Sequence, residues 1–285
     1  MILSADQSAF RLWCKPMAIA SASASNSAST SANQISTDDL MIVNAARVLG
    51  TLAAAGKAAC FVGIGLPSTA ANLARHLYSP EPVLIYESGC IGSKPTRLPL
   101  SIGDGELADT SDSVVSVPEI FSYWLQAGRI DVGFLGGAQL DKFGNINSTV
   151  IGSYDKPKTR LPGAGGAPEI AATAGQVIVI MRQTKRAFVD RCDFRTSFGF
   201  GDGPGHRERL GLRGGGPKIV ITDLGVLEPD PETCELVQTQ MHLGVTAEQC
   251  VENTGWKLSI AENVITTEAV TDREVNALRE LQSAT

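Results

Sequence analysis

Glu87 ends the apolar run Val83-Leu84-Ile85-Tyr86 and is followed at once by Ser88-Gly89-Cys90. A strand that delivers a single carboxylate to a glycine turn is the usual way an α/β fold presents a reactive group at the mouth of its sheet. Glu87 is therefore the candidate catalytic residue, a reactive carboxylate, with Ser88 and Gly89 forming the turn that supports it. Its other reading is a carboxylate that caps the turn after a strand. A second constellation lies downstream: Gly136-Gly137-Ala138-Gln139, then Asp141 to Asn147, then Pro157-Lys158-Thr159-Arg160-Leu161-Pro162-Gly163-Ala164-Gly165-Gly166-Ala167. A loop built on Gly163, Gly165, Gly166 and Ala167 lets several backbone N–H groups converge on one point, where an anion or a developing oxyanion could sit. Glycines in such a loop can equally do no more than satisfy a tight turn. Lys158 and Arg160, just upstream, are candidates for contact with a phosphate or a carboxylate, against the default of a solvated pair.

Familiar motifs fail on spacing. Neither Gly63-Ile64-Gly65 nor Gly199-Phe200-Gly201 continues into a dinucleotide fingerprint, and Gly56-Lys57 runs into Ala58 where a phosphate loop needs a hydroxyl residue. No G-x-S-x-G elbow is present, and the histidines, His76, His206 and His242, lie too far apart to pair at a metal. His206 alone stands in a glycine-rich setting. No metal site is expected.

These residues need a scaffold, and the punctuation from Thr37 onward supplies one. The pattern predicts a helix from Thr37 that stops near Gly56, a strand at Ala59 to Ile64, a helix over Ser68 to Tyr78 and a strand at 83–87, together a βαβ unit. A helix over Pro118 to Gln126 and strands at Asp131–Leu135, Gln176–Met181 and Lys218–Thr222 follow, then a hairpin from Val226 to His242. Two last helices each open on a capping box, Thr246 with Gln249 and Thr271 with Glu274. The expected class is α/β, a mainly parallel sheet flanked by helices, in one domain over residues 37–285. Residues 1–36, rich in alanine and serine, read as a low-complexity, disordered extension.

Composition narrows the function further. The 285 residues are 43% hydrophobic, enough for a real core, and 30 acids against 24 Lys and Arg leave a formal charge of −6. That balance provides no basic field for nucleic acid or an anionic membrane, and no apolar run approaches the roughly 20 residues that span a bilayer. Six cysteines stand singly with no metal spacing. They read as free thiols in a reducing, cytoplasmic setting.

Taken in order, the segments resemble the family I CoA-transferases, at the B-type subunit of the glutaconate CoA-transferases. The resemblance runs over roughly residues 41–280. It rests on Gly63-Ile64-Gly65-Leu66-Pro67, Glu87-Ser88-Gly89, the Gly136–Thr149 stretch, Pro157 to Arg160 and the Gly163–Ala167 loop. It continues through Asp202 to Gly205, Arg207 to Gly211, and Glu252-Asn253-Thr254-Gly255. It implies an open α/β fold, a ping-pong transfer of CoA from an acyl-CoA to a carboxylic acid such as glutaconate, and a glutamyl-CoA thioester on Glu87. It also implies no permanently bound cofactor, CoA being substrate and covalent intermediate, and a partner A subunit in a hetero-oligomer. In the oxoacid branch the glutamate is followed by Asn-Gly; Ser88-Gly89 here disfavours succinyl-CoA:3-oxoacid transfer. Relatives on this fold include acyl-CoA ring-opening hydrolases and a decarboxylase that relies on cysteine, which draws attention to Cys90. A non-catalytic scaffold or ligand-binding chain is the alternative of another class.

Overall fold

The computed structural model describes residues 35–283. The extension expected over 1–36 lies outside the described residues as far as position 34; Ser36 already belongs to the fold, because its hydroxyl accepts the Asp39 N–H and caps the first helix. In chain order the helices are α1 (Thr37–Ala54), α2 (Leu66–Leu77), α3 (Gly105–Asp109), α4 (Val117–Glu119), α5 (Ala167–Thr173), α6 (His206–Arg209), α7 (Ala247–Glu252) and α8 (Asp272–Ser283). The strands are β1 (Ala59–Phe61), β2 (Val83–Ile85), β3 (Cys90–Ile91), β4 (Ser113–Val114), β5 (Val132–Leu135), β6 (Gln139–Asp141), β7 (Ile146–Asn147) and β8 (Val150–Gly152). After them come β9 (Pro157–Arg160), β10 (Gln176–Ile180), β11 (Phe188–Val189), β12 (Pro217–Ile221), β13 (Gly225–Pro229), β14 (Leu236–Met241) and β15 (Ser259–Thr266).

One mixed sheet of ten strands, in the order β15-β14-β13-β12-β10-β5-β1-β2-β3-β4, organises the molecule. Its centre, β12-β10-β5-β1-β2, is wholly parallel, and the expected α/β class holds. Antiparallel pairs flank this block through β13 and β14 on one side and β3 and β4 on the other. The central strands are apolar on both faces because both are covered. Cys60, Leu84, Val132, Phe134 and Ile178 pack into one cluster with α1, α2 and α8, while Phe61, Ile85, Leu135, Val177 and Val179 pack into the other with residues of α5 and the 120–125 segment. Alternating burial along continuous apolar runs is the mark of a strand sandwiched between two helical layers.

Several boundaries depart from expectation for local reasons. The strand at 83–87 ends at Ile85, because the next backbone groups close a turn: Gly89 N–H donates to Tyr86 O and Tyr86 N–H to Cys90 O. The helix expected over Pro118–Gln126 keeps its start, capped by Ser116, but becomes π-helical over Ile120–Leu125, with Gln126 N–H donating to Phe121 O. Between the two final helices the chain adds β15, an exposed edge strand whose one charged residue, Glu262, and mixed pattern gave no alternation to read. Both capping boxes form.

Buried carboxylates tie the helical layer on the α1 face, with Asp39 accepting from Arg279 and Gln282 of α8. Glu274, 4% exposed, accepts two hydrogen bonds from Arg47 at 2.6 and 2.8 Å, one from the Tyr78 hydroxyl, and two from Thr271. Burial alone would raise its pKa, but the bonds from Arg47, Tyr78 and Thr271 outweigh burial and bring it down to about 2. A carboxyl whose folded pKa is lowered adds stability above its unfolded pKa and loses it as pH falls toward the folded value. Glu274→Ala should therefore cost about 3 kcal/mol at neutral pH, as removal of one partner of a buried ion pair does. The difference from wild type in urea midpoint should shrink between about pH 4.5 and pH 2; a constant difference across that range would exclude ionic anchoring.

Candidate active site

From β1 the chain moves outward through α2 to β2, and later returns to the other side of β1 as β5. Strand order thus reverses between β1 and β5, and the carboxyl ends of parallel strands at such a reversal leave a crevice. A cavity of about 220 Å³ opens there. Its walls are Phe61, Val62, Gly63 and Ile64 at the end of β1, Phe134, Leu135 and Gly136 at the end of β5, Pro67 of α2, and Ala164 to Ala167 with Ile170. Among the described residues Glu87 is the one ionisable side chain lining it.

The backbone that carries Glu87 is clamped on both sides. Tyr86, fully buried, sits in the core with its hydroxyl 3.3 Å from Ser68 Oγ. Gly89 lies under the 113–115 segment: Val115 N–H donates to Gly89 O, and a Cβ at Gly89 would stand 1.9 Å from Val115 O. With φ at +102°, that position also requires glycine. Glu87 and Ser88 are the two central residues of the turn, so the carboxylate stands at its tip. Ser88 turns its hydroxyl toward Cys90 Sγ at 3.5 Å and does not line the cavity. Cys90 is a packed thiol, 4% exposed.

The glycine loop is brought onto Glu87. A Cβ at Gly166 would lie 2.5 Å from Glu87 Oε1 and 2.8 Å from Phe121 Cζ, so only glycine allows this approach. Gly165 and Ala167 also face the cavity, whereas Gly163 does not line it. Two of the expected donors are already engaged, Gly163 N–H by Ser148 O and Ala167 N–H by Ala164 O. Among the hydrogen bonds of the described residues, none uses the N–H of Gly165 or Gly166. Gly133 lets α5 settle on β5, since a Cβ there would meet Ile170 Cγ2 at 2.3 Å, and Ser148, which accepts the Gly163 N–H, follows Asn147, whose side chain bonds Gln139 and the backbone of Thr149 and Val150.

Two helices begin at this cavity in the same way. Gly65 precedes α2 and Gly166 precedes α5, each helix has proline in its first turn, and neither start has a side-chain cap. The positive end of α2 thus borders an anionic side chain.

Lys158 and Arg160 lie on the exposed hairpin of β8 and β9, away from the cavity lining. Arg160 donates to Tyr154 O at 2.9 Å and stacks over that ring. His206 also stands apart, its Nδ1 accepting the Asp202 N–H. Phe121 has no counterpart among the residues expected from sequence. It packs edge-on against Phe61 at 6.0 Å and closes on Gly166, a placement set by the π-helical turn, which leaves no mark in the apolar pattern. Among the described residues no cluster of His, Cys, Asp or Glu could hold a metal, and no helix is long and apolar enough to cross a membrane.

Residues 26–253 match the family described as coenzyme A transferase. The chain is 60% identical over 250 residues to the B subunit of 3-oxoadipate CoA-transferase from Pseudomonas knackmussii, covering 88% of this chain and 94% of that protein. It is 41% identical over 209 residues to the B subunit of glutaconate CoA-transferase from Acidaminococcus fermentans, covering 71% and 78%. The crystal structure of glutaconate coenzyme A-transferase from that organism superposes with a TM-score of 0.78 at 34% identity, covering 86% of this chain and 94% of the other. The chain therefore belongs to the coenzyme A transferase family, in its B-type branch.

Proposed function

We propose that this B-type chain, with a partner A subunit, moves CoA between an acyl-CoA and a short dicarboxylic acid, with Glu87 as nucleophile. The observation that carries this reading is a lone carboxylate at the tip of a clamped turn, in an otherwise apolar cavity, against a loop with free backbone donors. Higher identity to the 3-oxoadipate enzyme than to the glutaconate enzyme favours 3-oxoadipate as the acid. This reading sets aside the expectation that Ser88-Gly89 disfavours a 3-oxoacid: Ser-Gly here accompanies a dicarboxylic 3-oxoacid.

The chemistry fits those residues. Glu87 attacks the thioester carbonyl, CoA leaves as thiolate, and a mixed anhydride remains. The thiolate then attacks the glutamyl carbonyl, releasing the donor acid and leaving a glutamyl-CoA thioester. The acceptor carboxylate reverses both steps, and Glu87 is regenerated. Attacking and leaving groups are anions throughout, so no proton need be taken up. Each addition instead places negative charge on a carbonyl oxygen, which the N–H groups of Gly165 and Gly166 can receive. Among the described residues no second titratable side chain lines the cavity to activate water, which favours transfer over hydrolysis.

A cavity of about 220 Å³ is smaller than the roughly 300–1,000 Å³ of sites that enclose a drug-sized ligand, and takes the acyl end of the substrate. The remainder of CoA meets this chain outside it or the A subunit, with Lys158 and Arg160 as candidates for its phosphates or for the acid. The cytoplasmic setting rests on the isolated cysteines of the sequence.

In the complex with its A subunit, brief incubation with acyl-CoA followed by borohydride should leave a CoA adduct or a reduced side chain on the Glu87 peptide. Glu87→Gln should abolish this and lower turnover by several orders of magnitude. Full turnover in Glu87→Gln would assign the chemistry to the partner and make this chain a scaffold. Gly166→Ala should lower kcat about 10- to 100-fold through displacement of the carboxylate or loop. Gly163→Ala, at φ +111° with no atom within 4 Å of its new Cβ, should cost about 1 kcal/mol of stability but leave the turnover of folded enzyme intact. Equal kinetics in the two variants would remove Gly166 from the site.

A further inference from the structure

Arg207 is 5% exposed, yet no carboxylate of the described residues lies within ion-pair distance. Its guanidinium is solvated by backbone carbonyls from three separate segments. Nη1 donates to Gly199 O at 2.8 Å and Phe198 O at 3.1 Å; Nη2 donates to Gly214 O at 2.8 Å, Ala171 O at 3.0 Å and Ala172 O at 3.4 Å; and Nε donates to Gly214 O at 3.2 Å. Close backbone passage around it is secured by glycine, since a Cβ at Gly216 would touch the Arg207 side chain at 3.3 Å. Ala171 and Ala172 belong to the last turn of α5, whose terminal carbonyls lack partners within the helix. A cation there also meets the negative end of the helix dipole. The Gly199 segment is fixed in turn by Asn145, whose Oδ1 accepts from Gly199 and Gly201 N–H.

A buried ion is a poor way to gain stability, because well-packed apolar residues of similar volume often serve as well or better. A planar fork with donors fixed in direction does what an apolar plug cannot: it sets the position and azimuth of the helix whose carbonyls it holds. The opposite end of that helix is Gly166-Ala167, at the Glu87 cavity, roughly 10 Å away for seven residues at about 1.5 Å each.

We propose that Arg207 is a positioning residue for the reaction: by pinning the carboxyl end of α5 to the Phe198–Gly199 and Gly214 segments, it holds Gly165 and Gly166 in register with Glu87. The proposal rests on the transferase reading above. It requires that Arg207 touch no substrate, so its loss should slow covalent chemistry without weakening acyl-CoA binding.

The test uses the complete complex of this chain with its A subunit. Wild type, Arg207→Met and Arg207→Lys are compared for the rate of glutamyl-CoA formation on the Glu87 peptide by quenched-flow mass spectrometry, for KM, for thermal midpoint and for amide exchange over residues 164–173. Both variants should form the thioester about 10- to 100-fold more slowly per folded complex, as small misplacements of reacting groups do. KM should change less than about threefold on the same argument, and exchange over 164–173 should be faster while distant strands stay protected. A wild-type rate of thioester formation in either folded variant, whatever its thermal midpoint, would overturn the proposal and leave Arg207 a purely structural residue. Should the methionine variant fail to assemble, the lysine variant alone decides on the same criteria. Absence of any thioester in wild type would instead remove the transferase reading, a result separate from the behaviour of the variants.

Discussion

A carboxylate and a peptide backbone can approach each other this closely only where no side chain intervenes, and the contact of Gly166 with Glu87 is the constraint around which the molecule is arranged. A Cβ at that glycine would stand 2.5 Å from the carboxylate oxygen. Each partner of the contact is held by its own layer. Tyr86 fastens the glutamate turn to the core beneath α2, while Gly133 lets Ile170 settle on β5 so that α5 carries the glycine loop into place. Were either element to drift by an ångström, the free N–H groups and the carboxylate would no longer address the same point in space. Sheet topology explains why they meet at all, since β1 and β5 part company where the strand order reverses.

What could be read from the chain follows from the physics of each segment. The parallel centre was legible because strands buried on both faces are long apolar runs, as in Gln176–Ile180. The glutamate was legible because polarity ends such a run abruptly. Strands β6 to β9 and β11 were not, because they are two to four residues long, and β6 and β7 carry Gln139, Asp141 and Asn147 in buried positions. Their polar side chains are inside because they hydrogen-bond one another, as Asn147 does with Gln139, and pattern alone cannot anticipate that pairing. Arg207 was hidden for a similar reason: an arginine in a Gly- and Arg-rich loop reads as surface until the carbonyls around it are known.

Family membership adds a separate kind of information. The relatives are named for two acids, 3-oxoadipate and glutaconate, and the chain shares the fold of the glutaconate enzyme at a TM-score of 0.78. One scaffold serving several acids is consistent with a cavity whose walls, Glu87 aside, are apolar groups and glycine, because such walls constrain size more than they dictate chemistry.

The clamped turn has a temporal consequence. With Tyr86 buried and Gly89 trapped beneath Val115, the backbone on either side of Glu87 has nowhere to go. Movement of the Glu87 carboxylate is therefore left to the side chain's own torsions. Such rotations take picoseconds to nanoseconds where a side chain is free, whereas loop opening takes up to microseconds. In the proposed transfer, each energy-rich bond at Glu87 is thus passed on by side-chain rotation, before a slower opening of the walls admits water.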